Sequence, residues 1–485
     1  MARSEPEKWS QQDLQASRTP LTADGDIDRK LALGSDHPYR TLPDEVDIDY
    51  RNVAVRGSLA LGGLSDVWGA ALLPYVSTDI GDWPISAADL GDAHAAIMRI
   101  LPVAGAQDDL TQLFPLPVRQ LSEPKKSIQA QRLLARLERN RAQLAVRGVF
   151  FGAARLAVDF NRGREPWSCN YCGNCLHGCP RDLIYSSRHT LEQLQASGRL
   201  SYVPGVVVKA IEEHGDRVTV RASLRGAVTS FEADRVLVAS GVFNTAAIVL
   251  RSLGWYGRTV EVADSQYYIL PLLQLSAAPD VMRERLHTLA QIFIEIRNEK
   301  ISEHFVHLQI YGFNDLMAAM LRQKLRWLWS FAPKNAILGR LLLAQGYLHS
   351  DHSGKIGATL VRHANADRLE LVATPNPETG RRVRRVVSEL RRLSVLLHAM
   401  PLSFLLRILQ PGRGFHCGGS FPMATRPRVG EVDVLGRLNG WQRTHIVDAS
   451  VFPSIPATTI TQTVMANAFR IGSQAARLDP RELHR

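Results

Sequence analysis

The first pattern along the chain is the alternation of apolar and polar residues in short stretches. Between residues 201 and 241, brief runs of valine and other strand-forming residues are separated by polar turns, which predicts a small β region. Later alternating stretches predict an antiparallel sheet with one buried face. These later stretches are residues 268–270, 291–294, 305–310 and 369–372.

A second pattern, in which apolar residues recur every three or four positions, predicts helices. The helices are expected over residues 127–146, 244–252, 314–330 and 378–400. In the last of these, arginines such as Arg381 and Arg391 alternate with valines and leucines, so we expect the arginines to form one solvated face. The apolar stretch 146–158 contains two arginines and predicts a buried helix.

Composition limits the class of protein. A chain of 485 residues is too long for one compact core, so two sequential or interleaved domains are expected. The net charge of +11 is spread along the chain without a nucleic-acid-binding motif, so no nucleic-acid partner is expected. No apolar run has the length of a transmembrane helix. The first residues do not form the apolar segment of a secretory signal, so a cytoplasmic location is expected.

The most specific motifs lie near the C-terminus. Residues 414–423 read G-F-H-C-G-G-S-F-P-M, and V-D-A-S at 447–450 precedes a proline-containing loop and a helical run at 464–475. His416 is a candidate for proton transfer, because histidine titrates near neutrality. One of Thr459, Thr461 and Thr463 is expected to cap the N-terminus of the helix.

This segment closely resembles the C-terminal segment of the glucose-methanol-choline (GMC) oxidoreductases, in the same order and spacing. The resemblance implies an FAD-dependent enzyme that oxidises a CH–OH group of a small-molecule sugar or other alcohol, with His416 as its catalytic histidine. A second catalytic position, histidine or asparagine in the family, aligns with Thr459, which can hold a substrate oxygen but is no base. The resemblance also implies FAD contacts at Asp448, Ala449 and Thr461.

Two weaker resemblances concern earlier parts of the chain. A glycine-rich loop followed by a tryptophan is similar to the family loop that lies along the flavin, where glycine lets the backbone approach the ring closely. The loop residues concerned are Gly62, Gly63, Ser65, Trp68 and Gly69. Val208 aligns with a valine whose backbone touches the adenine of FAD in the family.

Four of the five cysteines lie close together and are followed by Pro180. Cys169, Cys172, Cys175 and Cys179 have the C-x-x-C-x-x-C-x-x-x-C-P spacing of a bacterial ferredoxin segment. The alternatives are an iron–sulfur cluster, a four-cysteine zinc site and a loop without metal. Some GMC-type sugar dehydrogenases carry an iron–sulfur cluster in a cysteine-rich insertion, so the resemblance implies a cluster that passes electrons to an outside acceptor protein. We expect His177 in this loop to be exposed rather than a ligand.

One family motif is absent from the sequence. GMC proteins begin with a βαβ unit that carries G-x-G-x-x-G, whose glycines admit the FAD pyrophosphate to a helix N-terminus. The 485 residues contain no such pattern. A start upstream of Met1, a second polypeptide that supplies the unit and a decayed, inactive relative are the open explanations. The function hypotheses are accordingly a flavin-dependent dehydrogenase, a non-catalytic GMC-like protein and an iron–sulfur electron-transfer protein.

The expected fold combines α/β and α+β parts: an incomplete FAD-binding Rossmann-like domain interleaved with a substrate domain, which is built on an antiparallel sheet backed by helices. The expected division is a partial FAD-binding region with the flavin loop (1–85), a helical region with the cysteines (86–200), a β region of the FAD domain (201–262), the substrate domain (263–410) and the C-terminal GMC segment (411–485).

Overall fold

The computed structural model describes residues 37–40, 47–116, 121–161, 168–325, 329–331, 333–363 and 367–477, together with Ser10 and Gln12. Its helices are α1 (His37–Arg40), α2 (Gly91–Ile100), α3 (Leu110–Leu113), α4 (Ile128–Arg139), α5 (Arg141–Val146), α6 (Ser187–Ala196), α7 (Val242–Ser252), α8 (Asp315–Leu325), α9 (Lys334–Leu338), α10 (Pro377–Arg392), α11 (Ser394–Leu397) and α12 (Thr461–Ala475). Its strands are β1 (Asp47–Arg51), β2 (Val103–Ala104), β3 (Val149–Ala153), β4 (Leu156–Ala157), β5 (Val206–His214), β6 (Arg217–Leu224), β7 (Ala227–Ala233), β8 (Val236–Val238), β9 (Thr259–Asp264), β10 (Tyr267–Gln274), β11 (Ile292–Asn298), β12 (Ser302–Tyr311), β13 (Leu341–Tyr347), β14 (Lys355–Arg362), β15 (Asp367–Thr374), β16 (Ala399–Pro401), β17 (Arg407–Ile408), β18 (Cys417–Gly418) and β19 (Thr444–Ile446).

A seven-stranded antiparallel sheet is the largest sheet. Its order is β16–β10–β13–β12–β11–β3, and β17 also pairs with β10. Successive side chains of a strand point to opposite faces of the sheet. On β12, Val306, Leu308 and Ile310 are buried in an apolar cluster with residues of α4 and α10, which back this face of the sheet. The intervening residues, which include Gln309 and Tyr311, face a cavity.

A second layer contains a five-stranded sheet in the order β1–β15–β14–β9–β18. Strand β1 pairs with β15 in parallel, and the other pairings in this sheet are antiparallel. Strands β8 and β19 form a short parallel pair. The chain passes from β8 into α7 through Gly241, whose φ is 81°. One apolar cluster joins this α/β unit to the five-stranded sheet, with Val238, Val249, Val262 and Ile446 among its members. The strands β5, β6 and β7 form the β region predicted between residues 201 and 241.

Helix α10 follows the pattern that its sequence predicts. Asn376 is its N-cap and accepts a hydrogen bond from the Glu378 backbone, and Pro377 occupies the first turn. Val383, Val386 and Leu390 are buried at spacings of three and four residues, while the arginines between them form a solvated face, as predicted. Within the described part of the chain, no helix has both the length and the apolar composition needed to cross a membrane.

One predicted element is wrong, and one predicted strand belongs to a different sheet from the one expected. The stretch 146–158 is not a helix but contains strands β3 and β4, and β3 pairs with β11 at the edge of the seven-stranded sheet. Residues 369–372 do form a strand, but β15 belongs to the five-stranded sheet beside β1 rather than to the large antiparallel sheet. Both errors have one origin, because local periodicity shows that a segment is buried but does not show which partner buries it.

Candidate functional site

A cavity of about 460 Å³ lies against the face of the seven-stranded sheet that α4 and α10 do not cover. Strands β10, β12 and β13 each contribute alternate residues to its lining. The remaining lining comes from segments that are far apart in the sequence. These segments are residues 64–71, 241–242, 314–321, 405–417, 448–449 and 459–464, with Arg56 and Leu176 in addition.

His416 lies at one end of this lining. Its ring stacks on Tyr347 with centroids 4.8 Å apart and planes 19° apart, and Tyr347 in turn stacks on Tyr267 at 5.1 Å. The His416 carbonyl accepts a hydrogen bond from the Ser265 backbone at 3.0 Å. The preceding residue, Phe415, has a φ of 57°, a left-handed conformation that is uncommon outside glycine. The hydrogen bond to Ser265, the stacking on Tyr347 and the turn at Phe415 together hold the imidazole in the wall of the cavity.

A buried carboxyl group lies immediately behind His416. Asp264, on β9, pairs with Cys417, and its Oδ1 is 3.4 Å from the Cys417 Sγ. Burial raises the pKa of Asp264 to about 7, against the lowering effect of a hydrogen bond from the Gly412 backbone. The Oδ2 atom has no hydrogen-bond partner among the described residues. A carboxyl group so placed is protonated over most of the acidic range.

A second buried pair continues the stack on the other side of Tyr347. The His307 ring lies 5.9 Å from Tyr347, and its Nδ1 is 2.5 Å from the Glu295 Oε1. Both partners are fully buried, and burial raises the pKa of Glu295 while His307 lowers it. The pair is absent from our sequence predictions. Glu295 lies within the apolar run of β11, and His307 within that of β12, which was the available signal.

The threonines near α12 have a different role from the one predicted. The N-cap position is Ile460, and no side chain caps the helix. Thr459 Oγ1 accepts a hydrogen bond from the Leu73 N–H at 2.6 Å and donates to the Leu73 carbonyl at 3.3 Å. Thr463 Oγ1 accepts from the Tyr75 N–H at 3.0 Å. The predicted cap is therefore wrong, because these hydroxyls bind the backbone of a neighbouring segment instead.

Asp448 connects the C-terminal segment to the α/β unit. Its Oδ2 accepts hydrogen bonds from the Gly241 N–H at 3.0 Å and from the Thr245 hydroxyl at 2.5 Å. Its Oδ1 accepts from the Ser450 N–H at 2.9 Å. Burial raises the pKa of Asp448, and these hydrogen bonds oppose the rise. The carboxylate thereby holds the Gly241 backbone, which lines the cavity.

The predicted flavin loop forms a tight turn whose later residues reach the cavity. Gly62 has a φ of 92°, and a Cβ atom at this position would lie 2.6 Å from the Ser186 Oγ. Only glycine fits such a position. Ser65 accepts a hydrogen bond from the Ser187 backbone, and the Trp68 indole donates to the Tyr185 carbonyl at 2.7 Å.

The cavity brings together most of the residues that the sequence singled out. The predicted residues in its lining are Ser65, Trp68, Gly69, His416, Asp448, Ala449, Thr459 and Thr461. Gly62 and Gly63 belong to the same turn but do not line the cavity, and Val208 lies outside it on β5. The cysteines also lie outside the lining, although Leu176, next to Cys175, reaches it.

The four clustered cysteines form a compact group. The thiols of Cys172 and Cys179 each act electrostatically on Cys169 and Cys175. Burial raises the pKa of Cys169 to about 11 and that of Cys175 to about 12, and the neighbouring thiols add to both shifts. Thr288 holds the loop, because its hydroxyl accepts from the Leu176 N–H at 3.3 Å and donates to the Gly173 carbonyl at 3.2 Å.

His177 contradicts the expectation that it is exposed. Its side chain is only 1% exposed, and its Nε2 lies 2.9 Å from a carboxylate oxygen of Asp315, the first residue of α8. The cysteine loop is therefore attached to the helix that lines the cavity through Leu316 and Met317. The sequence offered no signal for this pairing, since the two partners are far apart along the chain.

A further group of titratable residues, away from the cavity lining, consists of His304, His349 and Asp351. Their candidate ligand atoms lie within 4.8 Å of one another. The two imidazole rings stack at 3.6 Å with planes only 11° apart. Hydrogen bonds from His304 and His349 lower the pKa of Asp351. Nitrogen lone pairs in two parallel ring planes do not converge on one ion, so the group is better described as a hydrogen-bonded ion cluster.

Comparison with known proteins agrees with the sequence resemblance. The family model for GMC oxidoreductase matches residues 369–468, which include His416, Asp448 and Thr459. The fold is similar to that of pyridoxine 4-oxidase from Mesorbium loti, with a TM-score of 0.60 and 15% identity, covering 95% of this chain and 93% of that one. It is also similar to formate oxidase from Aspergillus oryzae RIB40, with a TM-score of 0.57 and 13% identity, covering 94% and 91%.

A search of curated proteins finds no match to the chain. The predicted fold class, an α/β part of the FAD-domain type interleaved with a substrate domain on an antiparallel sheet, is confirmed by the fold that the chain shares with these two structures. Residues 369–468 are therefore similar to the C-terminal domain of GMC oxidoreductases, and the resemblance expected from the sequence is confirmed for this segment.

Proposed function

We propose that this protein is an FAD-dependent oxidoreductase that oxidises the CH–OH group of an alcohol, with His416 as the catalytic base. One observation carries the proposal: His416 lines the same cavity as the glycine-rich loop and the first turn of α12. The base, the expected flavin contacts and an open sheet face therefore share one space. The match of residues 369–468 to GMC oxidoreductases supports the same chemistry.

The residues around the cavity fit a flavin ring. The N–H groups in the first turn of α12 lack partners within the helix, and such groups favour the negative charge of a reduced flavin. Thr461, in this turn, lines the cavity, as do Gly69 and Ala449. Ser65 and Trp68 complete the wall on the side of the loop. When bound, FAD supplies the acceptor for the hydride of the alcohol.

The protein's own contribution is to hold and move the hydroxyl proton. The stacking of Tyr347 and the hydrogen bond to the His416 carbonyl fix the imidazole in one orientation. A fixed base within reach of the hydroxyl accelerates proton transfer by about 10²- to 10⁴-fold. Thr459 lines the same cavity, but both of its hydrogen-bonding roles are used by Leu73. We propose that His416 acts without a second base at this position.

For the cysteine loop we propose an iron–sulfur cluster bound by Cys169, Cys172, Cys175 and Cys179. Four thiolates around one zinc ion lie about 3.8 Å apart, a separation that follows from Zn–S bonds of about 2.3 Å. Among the described residues, no three of these cysteines have sulfur atoms that all lie within 4.8 Å of one another. Their thiols nevertheless influence one another electrostatically. The C-x-x-C-x-x-C-x-x-x-C-P spacing along the chain is the observation that favours a polynuclear centre.

The position of the loop suits electron transfer. Leu176 follows Cys175 directly in the sequence and lines the cavity. His177 attaches the loop to α8 through Asp315. Cys169, Cys172, Cys175 and Cys179 would hold the cluster, which would supply one-electron chemistry between the cavity and an acceptor protein, the partner we propose. Clustered free thiols also suit a reducing compartment such as the cytoplasm.

The test begins with the purified protein. We expect a yellow flavin spectrum that bleaches anaerobically when an alcohol is added, together with iron and acid-labile sulfide. The variant His416→Ala should retain its flavin and reduce it about 10²- to 10⁴-fold more slowly. The matched control His363→Ala changes an exposed histidine and should bleach like the wild type.

Each other outcome rejects a named part of the proposal. Iron without flavin would favour the alternative of an electron-transfer protein, and a colourless protein would favour a non-catalytic relative. Zinc in place of iron would reject the cluster alone. Equal bleaching by wild type and His416→Ala would remove His416 from the chemistry.

A further inference from the structure

The floor of the cavity changes in polarity along β13. Its lining residues are Tyr347, Gln345, Leu343 and Leu341, and Tyr347 carries the stacking contact with His416. Tyr347 follows Leu341 by six positions along the strand, which corresponds to a distance of about 20 Å between them. The floor is therefore polar beside His416 and aliphatic at its far end.

The neighbouring strands follow the same gradient. Residues at one level of the sheet face each other across the strand pairs. From His416 outward, the levels on β10, β13 and β12 are Tyr267–Tyr347–His307, Ile269–Gln345–Gln309 and Pro271–Leu343–Tyr311. At the third level the Tyr311 hydroxyl donates to the Gln309 Oε1 at 2.9 Å, so its polar end is directed back to the second level.

The other lining residues near the far end are also aliphatic. Leu316, Met317 and Leu321 of α8 line the cavity at helical spacing, and Leu405 adds to them from the segment after α11. Leu409 instead packs against Tyr267, at the end near His416. The apolar surface continues to the outside of the protein, because the side chain of Phe404, next to Leu405 in the sequence, is 80% exposed. An aliphatic enclosure of this kind binds hydrocarbon by removing it from water.

The charged residues in the described lining of the cavity are the three arginines Arg56, Arg407 and Arg413 and the acidic Asp448. Among its described lining residues, Asp448 is the acidic one, and its oxygens already accept from Gly241, Thr245 and Ser450. Sugar hydroxyls require several hydrogen-bond partners around the whole ring, because a buried hydroxyl without a partner weakens binding. On the sheet floor, the amide groups of Gln309 and Gln345 lie at the second level from His416. Asn314 and Arg407 add polar groups from other segments of the lining.

We infer that the substrate is an alcohol with a single polar end and a long, apolar hydrocarbon body, rather than a sugar. The hydroxyl lies at the polar end beside His416, and the hydrocarbon extends along Leu343 and Leu341 beneath α8. This inference rests on the proposed function for the reaction, but the shape and polarity of the cavity carry it independently of the flavin.

The experiment uses the purified holoprotein and primary alcohols from butanol to dodecanol, with glucose as the polar comparison. Affinity is measured by calorimetry, and flavin bleaching is followed anaerobically. We expect each added CH₂ to tighten binding by up to about fourfold. The variant Leu343→Gln should flatten this dependence on chain length. The control Val228→Gln makes a similar change at an exposed position on β7 and should preserve it.

The outcomes separate the two proposals. Bleaching by glucose without bleaching by the longer alcohols would overturn the inference and leave the oxidoreductase proposal standing. Affinity that does not rise with chain length in the wild type would also overturn it. Tighter binding of the longer alcohols with no bleaching by any alcohol would support the apolar site and reject the proposed reaction.

Discussion

Among single residues, the buried Asp264 gives rise to the clearest prediction about how stability depends on pH. Burial raises its pKa to about 7, so between about pH 4 and pH 7 the folded protein keeps a proton that the unfolded chain has released. Stability must therefore fall as the pH rises through this window, with a slope on the order of 1 kcal/mol per pH unit. The variant Asp264→Asn has no such proton and should lose this part of the pH dependence.

The measurement is the free energy of unfolding in urea at several pH values between 4.5 and 8. The control Asp216→Asn removes an exposed aspartate and should keep the wild-type slope. If Asp264→Asn and the wild type lose stability in parallel as the pH rises, Asp264 is ionised in the folded protein and the prediction fails.

Variants of Thr459 can test whether this residue, which aligns with a catalytic position of the family, has a catalytic role. In Thr459→Val the shape is preserved, but the buried Leu73 N–H loses its acceptor, which should cost about 1–3 kcal/mol of unfolding free energy. Thr459→Ser keeps the hydroxyl and should lose less unfolding free energy than Thr459→Val. If Thr459→Val instead unfolds like the wild type while alcohol oxidation slows by about 10²-fold or more, the residue acts in the reaction.

A motif that fixes both residue type and spacing can bring a residue to attention from the sequence alone, but its role in the reaction stays a prediction. His416 was identified in this way, and it lines the cavity. Glu295 and His307 were missed because their proximity depends on the register of two strands, which no local pattern specifies. His177 was assigned to solvent for the same reason, since its partner Asp315 lies on a helix that the loop meets only in the folded protein.

At the scale of elements, the N-terminus of α10 can be tested directly. Asn376 accepts a hydrogen bond from the Glu378 N–H at 2.9 Å, and the helix covers the sheet with buried valines. Asn376→Ala should lower the unfolding free energy by about 1 kcal/mol, measured by urea unfolding. Asn376→Asp retains the acceptor and should remain close to the wild type. Equal losses in both variants would show that the cap does not support the helix.

Helices were predicted more reliably than sheets for a physical reason. The helix α10 and the pair α4–α5 are specified by capping residues and by local periodicity, and these signals lie within each segment. Strand β3 has the same apolar composition as a buried helix, and its identity depends on pairing with β11, more than a hundred residues later. Strand β15 was recognised, but its parallel partner β1 could not be inferred from its own residues.

At the scale of the whole molecule, the cavity is where distant segments meet. Its walls come from the loop at 64–69, the sheet, the turn at 413–417 and the start of α12. Hydrogen bonds tie these segments to one another, since Thr459 binds Leu73 and Asp448 binds Gly241. A ligand that fills the cavity contacts all of them at once, so its binding should stabilise the chain as a unit rather than one element.

Flavin binding should therefore raise the unfolding temperature in a single transition. A ligand at 100 times its dissociation constant adds about 2.7 kcal/mol to the folded state. Comparing FAD with riboflavin, by calorimetric melting over a range of ligand concentrations, separates two contributions. Riboflavin tests the ring site formed by the cavity residues, and the additional shift with FAD measures binding of the pyrophosphate and adenosine, for which the sequence contains no G-x-G-x-x-G turn. We expect riboflavin alone to raise the unfolding temperature by a few degrees. If neither ligand shifts the transition, the cavity does not hold a flavin, and the ring contacts proposed for Gly69, Ala449 and Thr461 are wrong.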